Sequence, residues 1–370
     1  MDFNLSADQE AIRKSFHHFA DREIRPFARE LDEKPEFPRA LFERIGKLGF
    51  FGMRYPEPLG AGADVVSCVL AIEELAWASL SVAAACTMQS LMGTYFLHRF
   101  ASDEIKERLL VPAFAGKKVG CICMTEPNAG SDLMSIATRA QKTGDGWLVS
   151  GSKTWVTSAP VADFFTVFAR TAEGKLSVFL VERGAGGVDV GRAIEKLGVR
   201  ASLTSEVHFD AAKATCLLGE EGAGTKYLRD ILAEIRVVTA ALALGVGRAA
   251  YEEARRYAGE REQFGRPIDQ FQSIQAHLAD MATDLEAARR ITHWAAWRSD
   301  QKLPNAREAS MAKLFASEAA WRVCERAARV TASYGFATDS PIQRYLRDCR
   351  FVLIGGGTSE ILRVNIAKES

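Results

Sequence analysis

The sequence predicts a mainly helical α+β protein built from three successive domains, and three changes of texture along its 370 residues carry that reading. Up to about Pro112, apolar residues recur at the spacing of amphipathic helices. Between Lys117 and Cys216 they gather in short runs split by Gly and Asp. From Glu220 the helical period returns and holds to the end. These changes divide the chain into an N-terminal α-helical domain over 1–115, a middle antiparallel β domain over 116–216 and a C-terminal helical bundle over 217–370.

The first helix starts after Leu5-Ser6-Ala7-Asp8, with Ser6 as cap and an apolar stripe at Ile12, Phe16, Phe19 and Ile24 before Pro26. Further helices are expected over Pro38 to Leu48, Val65 to Trp77, Val82 to Phe96 and Asp103 to Leu110, separated by turns such as Pro56-Glu57-Pro58-Leu59-Gly60. Runs of strand length follow at Gly120 to Met124, Gly146 to Val149, Phe164 to Ala169, Leu176 to Val181 and Glu206 to Phe209. Thr143-Gly144-Asp145-Gly146 is a hairpin turn signal. In the last third, Ile268, Phe271, Ile274, Leu278, Met281, Leu285, Ala288, Ile291 and Trp294 step by three or four residues, which makes a helix of about 30 residues. A second long helix is expected from Asn305 to Ser333, and helices of this length point to a bundle.

Lys+Arg 47 against Asp+Glu 47 leaves no net charge, which argues against nucleic acid or an anionic membrane as the main partner. The 48% hydrophobic and 25% charged fractions are those of an ordinary globular protein. No apolar stretch is expected to reach the ~18 to 20 residues that span a bilayer. The start lacks the basic and apolar regions of a signal peptide, so a cytoplasmic location is expected. Seven cysteines, mostly within apolar segments, read as reduced buried thiols. The C-x-C spacing of Cys121 and Cys123 and the lack of an H-E-x-x-H pair point away from a metal site.

Two segments can carry chemistry. Met124-Thr125-Glu126-Pro127-Asn128-Ala129-Gly130-Ser131-Asp132 closes the first strand with a Pro/Gly turn, where backbone amides can converge on a polar ring edge or a pyrophosphate. In Gly151-Ser152-Lys153-Thr154-Trp155-Val156-Thr157-Ser158-Ala159, the indole can cover a planar cofactor while Thr157 offers a hydroxyl. Taken singly, the first also reads as a surface turn and the second as a core Trp.

Together with Arg261-Glu262-Gln263-Phe264-Gly265-Arg266-Pro267-Ile268, Leu278-Ala279-Asp280-Met281, Met311-Ala312-Lys313, Arg344-Tyr345-Leu346-Arg347-Asp348 and Gly357-Thr358-Ser359-Glu360-Ile361, these segments resemble the acyl-CoA dehydrogenase family, in the family's order and over essentially the whole chain. The resemblance implies a C-terminal four-helix bundle, one FAD per subunit and a homotetramer or dimer. The implied reaction is oxidation of an acyl thioester: a base removes the α-proton as hydride leaves the β-carbon for flavin N5. The expected electron acceptor is an electron-transfer flavoprotein.

Position by position, the resemblance places Met124, Thr125 and Ser131 along the flavin, Trp155 and Thr157 on its ring, and Arg261, Phe264 and Gln272 on the pyrophosphate and adenosine half across a dimer. Thr358 and Glu360 become the last cofactor contacts, with Thr358 also readable as a helix cap. Ser131, Arg236 and Gly357 would meet the substrate.

The chain departs from the family where the base should be. The usual glutamate precedes Gly-Thr in the last motif, and Gly356 stands there. A minority of relatives carry it directly before the arginine early in the C-terminal domain, and Ile235 stands there, with Glu234 one residue earlier. One residue turns a helix by about 100°, so Glu234 is at once the candidate base and a candidate Arg-paired surface carboxylate. The segment Val82 to Phe96 offers Cys86, Thr87, Gln89, Ser90 and Tyr95 but no carboxylate. A second departure is Arg329, where relatives have Gln, with Ala332-Ser333 in place of a Gly pair; the added charge suits a diphosphate. Four readings follow: a dehydrogenase of acyl-CoA, one of a carrier-protein-tethered acyl group, a cyclic acyl-CoA dehydrogenase with a non-standard base, or a noncatalytic relative. A substrate whose proton is already acidic would relieve the need for a strong base.

Overall fold

The structure, a computed structural model, describes residues 4–172 and 174–369. It opens with helices α1 (Ala7–Glu23), α2 (Ala28–Glu33), α3 (Arg39–Lys47), α4 (Val65–Ala78), α5 (Leu80–Thr87), α6 (Tyr95–Phe100), α7 (Asp103–Ile105) and α8 (Val111–Phe114). Ser6 caps α1 through a reciprocal pair, in which Gln9 N donates to Ser6 Oγ at 3.2 Å and Ser6 N donates to Gln9 Oε1 at 3.0 Å.

The single helix expected over Val82 to Phe96 is broken. After α5 the chain widens into a π turn, Met88–Met92, before α6 begins. Gln89 explains the break: its Nε2 donates to Ala113 O and Lys118 O at 2.9 Å each, and its Oε1 accepts from Gly120 N at 3.0 Å. This one side chain ties the helix to the start of the sheet. Gly93 sits at the contact, where a Cβ would come within 2.5 Å of Gly120 O. Contrary to the expectation from sequence, Leu80–Phe100 is long and apolar enough to cross a membrane by length and composition. In this fold, 89% of that window is buried inside the protein, as befits a core element.

Eight strands follow: β1 (Gly120–Cys123), β2 (Arg139–Thr143), β3 (Gly146–Thr157), β4 (Phe164–Arg170), β5 (Leu176–Glu182), β6 (Val188–Val190), β7 (Thr204–Lys213) and β8 (Cys216–Leu217). Their order is β6-β7-β3-β2-β4-β5-β8, with β1 against β4. The sheet is mixed where an antiparallel one was expected: β1 runs parallel to β4, and Arg139 meets Arg170 in a parallel contact between β2 and β4. The chain returns to β4 only after the β2–β3 hairpin, and that long crossover permits the parallel register. Cys121, Val156, Phe165, Phe179 and Phe209 form a core of the sheet's own.

The last third holds α9 (Gly224–Glu260), a small hairpin of β9 (Glu262–Gln263) and β10 (Arg266–Pro267), then α10 (Gln272–Asp300), α11 (Ala306–Thr331), α12 (Ser333–Phe336), α13 (Pro341–Val352) and α14 (Ser359–Glu369). α9 packs against α10, α11 and α13 and also against α4, joining the two helical regions. That joint is charged as well as apolar. Buried Glu73 and Glu74 of α4 pair with Arg248 of α9, and Glu73 also pairs with Arg289 of α10 at 2.9 Å.

Candidate active site

The site residues foreseen from sequence fall into three clusters. The first is a wall on the sheet. β1 ends at Cys123, so Met124 and Thr125 leave its end half-buried, and Glu126 and Ala129 close the turn by exchanging backbone hydrogen bonds of 3.0 and 3.1 Å. Thr154 N donates to Thr125 O at 2.9 Å, which brings β3 alongside. The β3–β7 register slips between Lys153 and Val156. Inside that bulge Trp155 adopts φ 56°, a left-handed conformation costing a bulky residue roughly 1–2 kcal/mol. The bulge turns the indole outward, 58% exposed, while Val156 returns to the core. Thr157 follows at the strand's end, half-buried, with its carbonyl accepting from Cys121 Sγ at 3.0 Å. Ser131 is exposed on the turn after Met124 and Thr125.

The second cluster lies where α9 meets the glycine loop before α14. Gly356 has φ 73°, and a Cβ built on it would lie 3.0 Å from Thr239 Oγ1 and 3.4 Å from Ile235 Cγ2. The two positions at which the resemblance to the family led a base to be expected therefore converge on one spot, and here a glycine faces an isoleucine. Arg236, next to Ile235 on α9, donates from Nη1 to Ser310 Oγ at 3.0 Å, while its buried Nε has no hydrogen-bond partner. Burial holds the guanidinium's pKa below its ordinary value. Lys313 of α11 is fully buried and donates to Gly357 O at 2.6 Å, fixing the loop. Burial, and then Arg236 beside it, push the Lys313 pKa down to about 7. Thr358 caps α14, its Oγ1 accepting from Ile361 N at 3.3 Å. Glu360 is held below the usual carboxylate range by its own backbone N–H and by the Thr358 hydroxyl.

Glu234 lies on α9 beside this cluster but is engaged elsewhere: its Oε2 accepts from Arg54 Nη2 at 2.9 Å, with both side chains largely buried. The arginine pairing considered from sequence is thus found, with Arg54, from the loop after α3, as the partner. Burial disfavours the charge on Arg54, but Glu234 outweighs it and holds the guanidinium above its ordinary pKa. On the segment Val82 to Phe96, burial drives the Cys86 thiol pKa well up, and Gln89 is committed to backbone groups. Thr87 Oγ1 is buried without a partner.

The third cluster is the β9–β10 hairpin. The Arg261 guanidinium lies 6.0 Å from the Tyr334 ring, Phe264 is 94% exposed at the tip, and its ring stands 6.0 Å from Phe271, next to Gln272. Phe336 on α12 is also almost fully exposed. Arg329 pairs with Glu325 one turn earlier at 2.6 Å.

The donor set suits FAD. An outward indole offers a face for a planar ring, and the buried hydroxyls Ser158 Oγ and Ser359 Oγ, next to Thr157 and Thr358, lack partners in the protein. Met124, Thr125, Trp155 and Thr157 would take the ring, and Arg261 and Arg329 supply cations for a diphosphate. Sequence reasoning gave no role to Lys153, Glu126, Lys313 or Arg54. A lysine amid the apolar alternation of β3 was the one visible signal.

Helical regions before and after a mixed sheet, with a Trp/Thr wall and a cationic hairpin, define a flavin-dependent oxidoreductase. The chain belongs to the acyl-CoA dehydrogenase family, whose N-terminal, middle and C-terminal domain models match residues 6–117, 121–212 and 222–370. It is 57% identical, over all of its length and 99% of the relative's, to the benzylmalonyl-CoA dehydrogenase of Aromatoleum aromaticum. The solved structure of the butyryl-CoA dehydrogenase of Megasphaera elsdenii superposes with a TM-score of 0.96 at 34% identity, covering 100% of this chain and 99% of that one. The structure of PigA with FAD and proline superposes at 0.96 with 29% identity and the same coverage. The chain is thus an enzyme that uses FAD to oxidise acyl thioesters.

Proposed function

We propose that this enzyme desaturates an acyl-CoA carrying a carboxylate on its α-carbon, an arylmethylmalonyl-type thioester, and that loss of this carboxylate as CO2 replaces proton abstraction. The observation that carries the reading is the meeting of Gly356 with Ile235, which leaves no ionisable group where the family keeps its base. The benzylmalonyl-CoA named for the 57%-identical relative is such a thioester. Breaking the Cα–carboxylate bond leaves an electron pair on Cα. That pair becomes the Cα=Cβ π bond as hydrogen departs from Cβ with its own pair. FAD, when bound, accepts that hydride. The products are CO2 and an α,β-unsaturated thioester, and no side chain has to take a proton.

The chain's own residues suit this role. Glycine at 356 leaves open the room a glutamate side chain would fill. The Ile235 methyl beside it is an apolar wall, which disfavours a concentrated carboxylate charge relative to a transition state in which that charge spreads onto Cα and the thioester as neutral CO2 departs. Arg236, with a free Nε donor, orients the carboxylate from one side, and Ser131 and Gly357 complete the substrate contacts. Glu234 stays with Arg54 and takes no proton. The enzyme works as a homo-oligomer, in which a second subunit covers Phe264 and Phe336, and it passes electrons to an electron-transfer flavoprotein.

The test is anaerobic mixing of the FAD-loaded enzyme with benzylmalonyl-CoA and, separately, with 3-phenylpropanoyl-CoA, its decarboxylated counterpart. The expected result is rapid loss of flavin absorbance with one CO2 released per flavin for the first and no comparable bleaching for the second. Equal bleaching by 3-phenylpropanoyl-CoA would overturn the proposal.

A further inference from the structure

The two segments that form the flavin wall are joined beneath it by a buried ion pair. Lys153 on β3 is fully buried, and its Nζ donates to Glu126 Oε1 at 2.8 Å and to Met124 O at 3.1 Å. Glu126 is nearly as buried. It accepts from Ala137 N at 2.7 Å, Thr138 N at 2.9 Å and Thr138 Oγ1 at 2.5 Å. Burial opposes both charges. The Lys153 ammonium, with Thr138 and the two backbone amides, outweighs that for Glu126, whose pKa falls below the usual carboxylate range.

A buried ion pair is weak evidence of stabilisation, since well-packed apolar residues can replace such pairs at little cost; its attested use is to fix one arrangement among several. Here the arrangement is specific. Lys153 is the last residue in register with β7 before the bulge, two residues ahead of the strained, outward Trp155. Through Met124 O it holds the carbonyl of one wall residue, and through Glu126 it holds the turn that follows Thr125. The bond from Thr154 N to Thr125 O completes the brace. Without the pair, the left-handed Trp155 has little to stop it relaxing into the ladder, and the Met124–Thr125 segment loses its register with the indole.

We propose that Lys153 and Glu126 are positioning residues for the cofactor. They touch neither FAD nor substrate, but set the separation and angle between Trp155 and the Met124–Thr125 segment, and through it the affinity for FAD. This is independent of which thioester the enzyme oxidises.

The test compares three full-length proteins by titrating stripped apoprotein with FAD and recording the visible circular dichroism of the bound flavin. In the double exchange Lys153→Met/Glu126→Leu both charges go together, so no unpaired charge is buried. Glu126→Gln is the milder second variant, retaining shape and one acceptor. Arg289→Met, which breaks the buried pair with Glu73 far from the sheet, is the control for lost stability. The expected outcome is FAD affinity at least tenfold weaker and an altered flavin dichroism in the double variant, the same direction in Glu126→Gln, and unchanged affinity in the control at a comparable fall in Tm. Wild-type affinity and dichroism in a folded double variant would overturn the proposal. So would an equal loss of affinity in Arg289→Met. If the double variant does not fold, the Glu126→Gln titration decides in the same terms.

Discussion

Gly356 and Ile235, 121 positions apart, face each other closely enough that a Cβ on the first would touch the second at 3.4 Å. The two positions at which the sequence led a base to be expected are thus two routes to the same volume, one from the glycine loop and one from α9. In this chain both routes end in a group that cannot accept a proton, and the basic side chains Arg236 and Lys313 lie beside them.

Restoring a carboxylate from the α9 side tests what that volume does. Ile235→Glu places a carboxyl group where a 3%-exposed side chain stood; held neutral by burial, it should cost about 1–3 kcal/mol of stability. It should also raise single-turnover flavin reduction by 3-phenylpropanoyl-CoA by about 10²-fold or more, the usual contribution of a positioned base. The rate should climb with pH as the new carboxylic acid ionises. No gain in a folded, FAD-loaded variant would mean that the substrate's α-carbon lies elsewhere.

Glu234→Gln separates the two readings of that carboxylate. Paired with Arg54, it should affect mainly stability: Gln still accepts a hydrogen bond from the guanidinium but leaves a largely buried cation without its counter-charge, a loss of about 3–5 kcal/mol. Flavin reduction by benzylmalonyl-CoA should stay within about threefold of wild type. A fall of about 10²-fold or more in kcat with KM unchanged would make Glu234 the base after all.

What could be read from sequence followed how local each determinant was. The stripe from Ile268 to Trp294 foretold α10 because helical periodicity lies in neighbouring residues, and Ser6 with Gln9 marked a helix start for the same reason. The break after α5 was not legible, because Gln89 draws its partners from Ala113, Lys118 and Gly120. The parallel pairing of β1 with β4 was hidden likewise, since strand composition is nearly blind to direction. At the site, the motifs named Met124, Trp155 and Thr157, but the role of Glu234 depended on Arg54, 180 positions away and marked by no pattern. Gly356 and Ile235 showed as departures in the sequence; that they are the same departure needed the fold.

Asp348 provides a stability handle at the joint between sheet and bundle. Its Oδ1 accepts from Val199 N at 2.6 Å, and burial raises its pKa from 3.8 to about 6. Between those values the folded state keeps a proton that the unfolded state releases, so this group's contribution falls as pH rises from about 4 to about 6 and is flat above. Asp348→Asn keeps an acceptor for Val199 without the buried charge. Urea unfolding with saturating FAD should show the variant more stable at pH 7.5, by about 1–3 kcal/mol, and equal to wild type near pH 4. A variant less stable at pH 7.5 would show that attraction to Arg344 and Arg347 outweighs burial.

Gly356→Ala asks whether the space opposite Ile235 is used. The backbone at φ 73° disfavours any side chain, and the new methyl would sit 3.0 Å from Thr239 Oγ1, a hydroxyl already donating to Ile235 O at 2.7 Å. The combined strain should cost about 1–2 kcal/mol, visible as a lower Tm with FAD still bound. If the substrate's carboxylate occupies this volume, the methyl takes part of it. KM for benzylmalonyl-CoA should then rise at least fivefold, while the affinity for the product-like cinnamoyl-CoA, which lacks the carboxylate, changes by less than twofold. Thr239→Ser removes a methyl from the same wall and should leave KM near wild type. Equal losses for both ligands in Gly356→Ala would place the carboxylate away from the glycine loop and leave Arg236 as the residue to probe for it.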